Sequence, residues 1–84
     1  MNAAIKPFVL RALRRMDGQP FPETSLVQTV QLAFPGDNLS LDETKAVLGD
    51  MEAAGFLSAH KDELTGVRLW SLTAKGVARA NQLH

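Results

Sequence analysis

Eighty-four residues make one small domain, expected to span residues 1–84, with too little chain for a second core. Hydrophobic residues are 45% of the chain and charged residues 21%, which excludes a disordered tail. A formal net charge of zero gives no general electrostatic case for nucleic acid, and the absence of cysteine removes disulfides, thiolate zinc sites and cysteine nucleophiles together.

In chain order, Ile5, Phe8, Val9, Ala12, Leu13 and Met16 fall at helical spacing and predict one buried stripe on a first helix. Pro7 requires that helix to start close by, since its ring fits the first turn and lacks a donor. Asp17-Gly18 is the expected stop. Lys6, Leu10, Arg11, Arg14 and Arg15 lie off the stripe, where a solvated basic face is the simplest reading. Leu10 within that face, like Leu32 on the second helix, hints at a second contact such as a dimer partner.

Gln19-Pro20-Phe21-Pro22 is extended, because each proline pushes its predecessor out of the α region. A second helix is predicted from Glu23 to Phe34 with Leu26, Val27, Val30 and Phe34 on one side, ended by Pro35-Gly36. Ser40-Leu41-Asp42-Glu43 reads as a capping box that opens a third helix over 41–54. Leu41, Thr44, Leu48 and Met51 form its expected inward face, Val47 lies at the edge, and Gly55 provides a left-handed stop.

Phe56 to His60 and Val67 to Leu72 then read as two short strands joined by a polar wing over 61–66. Trp70 and Leu72 share a face toward the core, with Arg68 at the outer end of the same row. Thr73 caps a last helix from Ala74 to Leu83, in which Gly76 is an oddity of the first turn. The expected class is α+β, mainly α: a winged helix-turn-helix of three helices, a β-hairpin wing and a C-terminal helix.

Charge is unevenly distributed. Residues 1–22 carry Lys6, Arg11, Arg14 and Arg15 against Asp17, and residues 56–84 carry Lys61, Arg68, Lys75 and Arg79 against Asp62 and Glu63. Between them Glu23, Asp37, Asp42, Glu43, Asp50 and Glu52 face only Lys45. Basic ends flank an acidic middle. No run of about 18 apolar residues exists to span a membrane. The N-terminus has arginines after its apolar residues and no small-residue cleavage site, so no signal peptide is expected and the expected location is the cytoplasm.

The residues Leu48, Met51-Glu52, Gly55-Phe56-Leu57 and Trp70-Ser71-Leu72-Thr73-Ala74-Lys75-Gly76 resemble bacterial winged-helix transcriptional regulators of the MarR or PadR kind. Met51 stands where those families favour leucine, a near-isosteric change. The resemblance implies a regulator that contacts duplex DNA through helix 41–54 and the wing 61–66. On that reading the candidate contacts are Ser40, Thr44, Lys45 and Lys61, with Arg14 and Arg15 reaching phosphates where the first helix ends near the duplex. It also implies self-association through the terminal helices.

Asp42, Glu43, Asp50 and Glu52 on the reading helix oppose a phosphate surface. The alternative is therefore a winged-helix module that binds a protein and no DNA. An enzyme is not expected: the only histidines are His60 and His84, no glycine-rich phosphate loop exists, and no catalytic residue, metal site or cofactor is indicated.

Overall fold

A computed structural model describes residues 2–17 and 19–83. Among them the chain runs α1 (Ile5–Arg14), β1 (Phe21–Pro22), α2 (Glu23–Ala33), a 3-10 turn (Pro35–Asp37), α3 (Leu41–Ala53), β2 (Leu57–Lys61), β3 (Arg68–Leu72) and α4 (Ala74–Asn81). The sheet is antiparallel in the order β1-β3-β2, so the short first strand pairs with the far strand of the hairpin. Four helices with a three-stranded sheet make the expected mainly helical winged helix-turn-helix.

Pro7 sits third in α1, where its missing N–H is one the helix could not have used. The helix ends at Arg14, and the chain turns through Asp17 in the left-handed region at φ 54. The proposed stop at Gly18 lies outside the described residues. Ile5, Val9 and Leu13 are buried as expected. Leu10 is a correction. At 4% exposure it belongs to the core, because α1 packs on α4 as well as on α2 and β3 and so buries two flanks. With α4 in place Leu10 has almost no surface to offer a second copy.

α2 contributes Leu26, Val27 and Val30 to the core, while Phe34 packs edge-on against Phe8 with ring centroids 5.4 Å apart. α3 is bounded at both ends by the residues expected to bound it. The Ser40 hydroxyl accepts from the Glu43 N–H at 3.0 Å, and the Ser40 N–H donates to Glu43 Oε1 at 3.2 Å. At the other end Gly55 takes φ 87. The Gly55 N–H there donates to Glu52 O and the Phe56 N–H to Met51 O, which closes a Schellman motif. Two core positions on this helix differ from expectation. Leu41, the first helical residue, is 50% exposed at the edge of α2, while Val47 is buried rather than marginal.

The hairpin face turned to the helices carries Leu57, Ala59 and Lys61 opposite Leu72, Trp70 and Arg68. Trp70 is fully buried at the centre of this row. The strands begin one residue later than the pattern predicted, at Leu57 and Arg68, since Phe56 completes the turn after α3.

α4 is locked to that same turn. The Thr73 hydroxyl accepts from the Gly76 N–H and donates to the Gly55 carbonyl. Lys75 donates to the last-turn carbonyl of Ala54 at 2.7 Å while lying over the Phe56 ring. Gly76 is explained by close approach: a Cβ there would lie 2.1 Å from the Phe56 carbonyl oxygen. The Thr73-Ala74-Lys75-Gly76 run thus fastens the hairpin and α4 to the end of α3.

Candidate nucleic-acid interface

The hairpin row that carries Trp70 into the core extends beyond it. Its outer end is the pair Lys61 and Arg68, directly opposite each other in the register and both exposed. Like charges facing across a strand pair are destabilising. Their row opens onto α3, where Lys45 and Gly49 lie one turn apart on the helix.

Lys45, Gly49, Lys61, Gly66, Arg68, Trp70 and Glu23 line one cleft of about 340 Å³ between helix and wing. Three cations meet one carboxylate there. Gly49 leaves the helix wall bare, with nothing within 4 Å of where a Cβ would sit. Asp42, Glu43, Asp50 and Glu52 do not line the cleft, so Lys45 is the charged group that α3 presents to it.

Glu23, the first residue of α2, is held from two sides. Trp70 Nε1 donates to Glu23 Oε1 at 3.1 Å, and Lys45 Nζ lies 4.0 Å from Glu23 Oε2. The Glu23 side chain is 19% exposed and that of Lys45 47%. The wing itself is shaped by its polar residues: Asp62 Oδ1 accepts from the Leu64 N–H, Thr65 Oγ1 accepts from the Val67 N–H, and Gly66 takes φ 73. Asp62 is therefore a turn residue, and Leu64 stands at the tip with 96% exposure.

Of the six positions expected to face DNA, the structure brings Lys45 and Lys61 together. Ser40 stays at the exposed start of α3 with its hydroxyl engaged in the cap. Thr44 is corrected as an exposed contact: it is 1% exposed and its hydroxyl donates to the Ser40 carbonyl at 2.8 Å. Arg14 and Arg15 lie with Arg11 at the junction of α1 and α4, where Arg14 Nε donates to Asn81 Oδ1. That junction shares no residue with the α3–wing cleft.

Leu32 is 81% exposed, as an off-stripe position should be. Arg68 and Glu23 were missed as site residues. Arg68 was read on the correct row, but only the tertiary fold shows that the row ends beside α3. Glu23 reads as an ordinary first-turn acid until Trp70 is seen to reach it.

A wider groove of about 570 Å³ runs between α1 and α4, lined by Leu10, Met51, Phe56 and Leu83 with Lys6, Lys75 and Arg79. His60 is exposed on the hairpin face away from Trp70, and His84 lies outside the described residues. No helix is long and apolar enough to cross a membrane among the described residues.

No protein-family model matches the chain. No curated protein matches it either. Solved structures do. A mutant of MarR from E. coli complexed with operator DNA superposes with a TM-score of 0.77 at 19% identity, covering 100% of this chain and 54% of that one. The PcaV transcriptional regulator from Streptomyces coelicolor, in complex with its natural ligand, gives 0.73 at 20% identity over 99% of this chain and 52% of that one. ZitR from Lactococcus lactis in apo form gives 0.73 at 17% identity over 95% and 54%. The chain spans about half the length of the structures it matches. These neighbours are winged-helix regulators of the MarR family rather than enzymes. At such identities the likeness shows the fold, and this chain has the winged helix-turn-helix fold of those regulators.

Proposed function

We propose that this protein is a small DNA-binding regulator, not an enzyme, whose α3–wing cleft engages the phosphate backbone of duplex DNA. The observation that carries this reading is the convergence of Lys45, Lys61 and Arg68 on one cleft in a molecule of zero net charge. Opposed cations on a hairpin cost stability in isolation, and an external anion offsets that cost. Phosphate contacts of this kind position a protein on the duplex, and base contacts then specify the site. The fold is shared with a MarR structure complexed with operator DNA, which supports duplex DNA as the anion.

The test is fluorescence anisotropy of a labelled random-sequence duplex. Lys45→Glu and Lys61→Glu are each expected to weaken binding by roughly tenfold and to flatten its salt dependence. Affinity unchanged in both variants removes the cleft as the contact. The alternative, a protein-binding module, is favoured by Leu64 standing 96% exposed beside Glu63 at the wing tip. It becomes the reading to pursue when wild-type protein binds no duplex even at low salt.

A further inference from the structure

Glu23 is out of keeping with the cleft it occupies. The reading that follows rests on the proposed DNA contact and concerns how that contact is set. Trp70 needs an acceptor for its indole N–H, and Glu23 Oε1 supplies one at 3.1 Å. That bond requires an oxygen and not a charge, so a glutamine carbonyl would serve. The start of α2 favours a carboxylate through the helix dipole, which accounts for part of the preference. Neither role calls for the second oxygen to face Lys45 at 4.0 Å in a cleft that also holds Lys61 and Arg68.

The carboxylate shares the cleft with the three cations that the proposed contact offers to phosphate. It is tethered by Trp70 to the buried centre of the sheet, so it cannot swing clear as a free surface side chain could. Any polyanion entering the cleft meets one fixed negative charge among the three cations. It must also draw Lys45 away from its existing partner.

We propose that Glu23 is a built-in competitor for the phosphate site, lowering the affinity of the cleft for duplex DNA and sharpening its dependence on well-placed phosphates. Because the competitor is part of the core hydrogen-bonding of Trp70, its strength is set by the fold. A weak backbone grip leaves discrimination to whatever base contacts the full interface makes, since like charge inside an interface suppresses wrong partners.

The experiment compares wild type, Glu23→Gln and Asp50→Asn against a labelled random-sequence duplex across a series of salt concentrations. Asp50 is an exposed acid of α3 that does not line the cleft, so its removal changes net charge equally without touching the site. Glu23→Gln is expected to bind roughly threefold to tenfold tighter than wild type, with the gain largest at low salt. Asp50→Asn is expected to gain less than half of that.

Equal gains in both variants, or no gain in Glu23→Gln, overturn the proposal and leave the DNA reading standing on wild-type binding. No binding by any of the three overturns both readings. A second measurement needs no substitution: Trp70 is the only tryptophan, so wild-type emission should shift as duplex saturates the cleft and Lys45 leaves Glu23. Constant emission at saturation counts against the competitor even where the glutamine variant fails to fold.

Discussion

Two glycines separate the demands of packing from those of function. Gly76 is buried in the first turn of α4, and a methyl group there would drive into the Phe56 carbonyl at 2.1 Å and crowd Leu72 at 3.1 Å. The opposing atom is backbone, pinned by the Thr73 N–H, so it cannot give way cheaply. Gly76→Ala is therefore expected to destabilise the fold by about 2 kcal/mol or more in urea unfolding, as overpacked sites do. Gly49 lies in mid-helix with open space around it. Gly49→Ala should stabilise by up to about 1 kcal/mol, because alanine restricts the unfolded chain and fits the helix. Were both variants to stabilise, the close approach of α4 to Phe56 would be misplaced. An exposed helical glycine that could be improved so simply fits the wall of the cleft proposed to receive DNA.

At the scale of elements, the clearest sequence signals were those whose physics is local. The capping box at Ser40 and Glu43, the left-handed stop at Gly55 and the Thr73 cap each involve residues within a turn of one another, and each forms as read. Burial depends on neighbours that the sequence does not place. Leu10 and Leu41 departed from their expected roles for that reason: α4 covers a second flank of α1, and the first residue of α3 is only half covered. The site shows the same division. Alternation put Arg68 on the Trp70 row, but its meeting with Lys61 and Lys45 needed the hairpin register and the docking of the hairpin on α3. That register carries its own test. Arg68→Glu turns a repulsive cross-strand pair with Lys61 into an attractive one, worth a few tenths to about 1 kcal/mol of added stability. It also inverts a charge in the cleft, so duplex binding should fall while the melting temperature rises. A loss of both would mean that Arg68 supports the hairpin rather than the interface.

For the whole molecule, a net charge of zero means that attraction to a duplex must come from arrangement rather than from total charge. On the proposed DNA reading, two of the basic clusters among the described residues, the α3–wing cleft and the α1–α4 junction, make separable contributions to the salt dependence. Each phosphate neutralised contributes about 0.9 to the slope of log affinity against log salt. Lys45, Lys61 and Arg68 acting alone therefore predict a slope of about −3, which Lys61→Ala reduces by about one. Arg14 bonds Asn81 and shares its cleft with Arg11 and Arg15, with no residue in common with the α3–wing site. Arg14→Ala and Arg15→Ala should accordingly leave the slope unchanged. A slope near twice that size, lost in part when either arginine is removed, would show that the duplex also spans the α1–α4 junction. The footprint would then cover two faces of the domain, and the end of α1 would have to lie against the backbone alongside α3 and the wing.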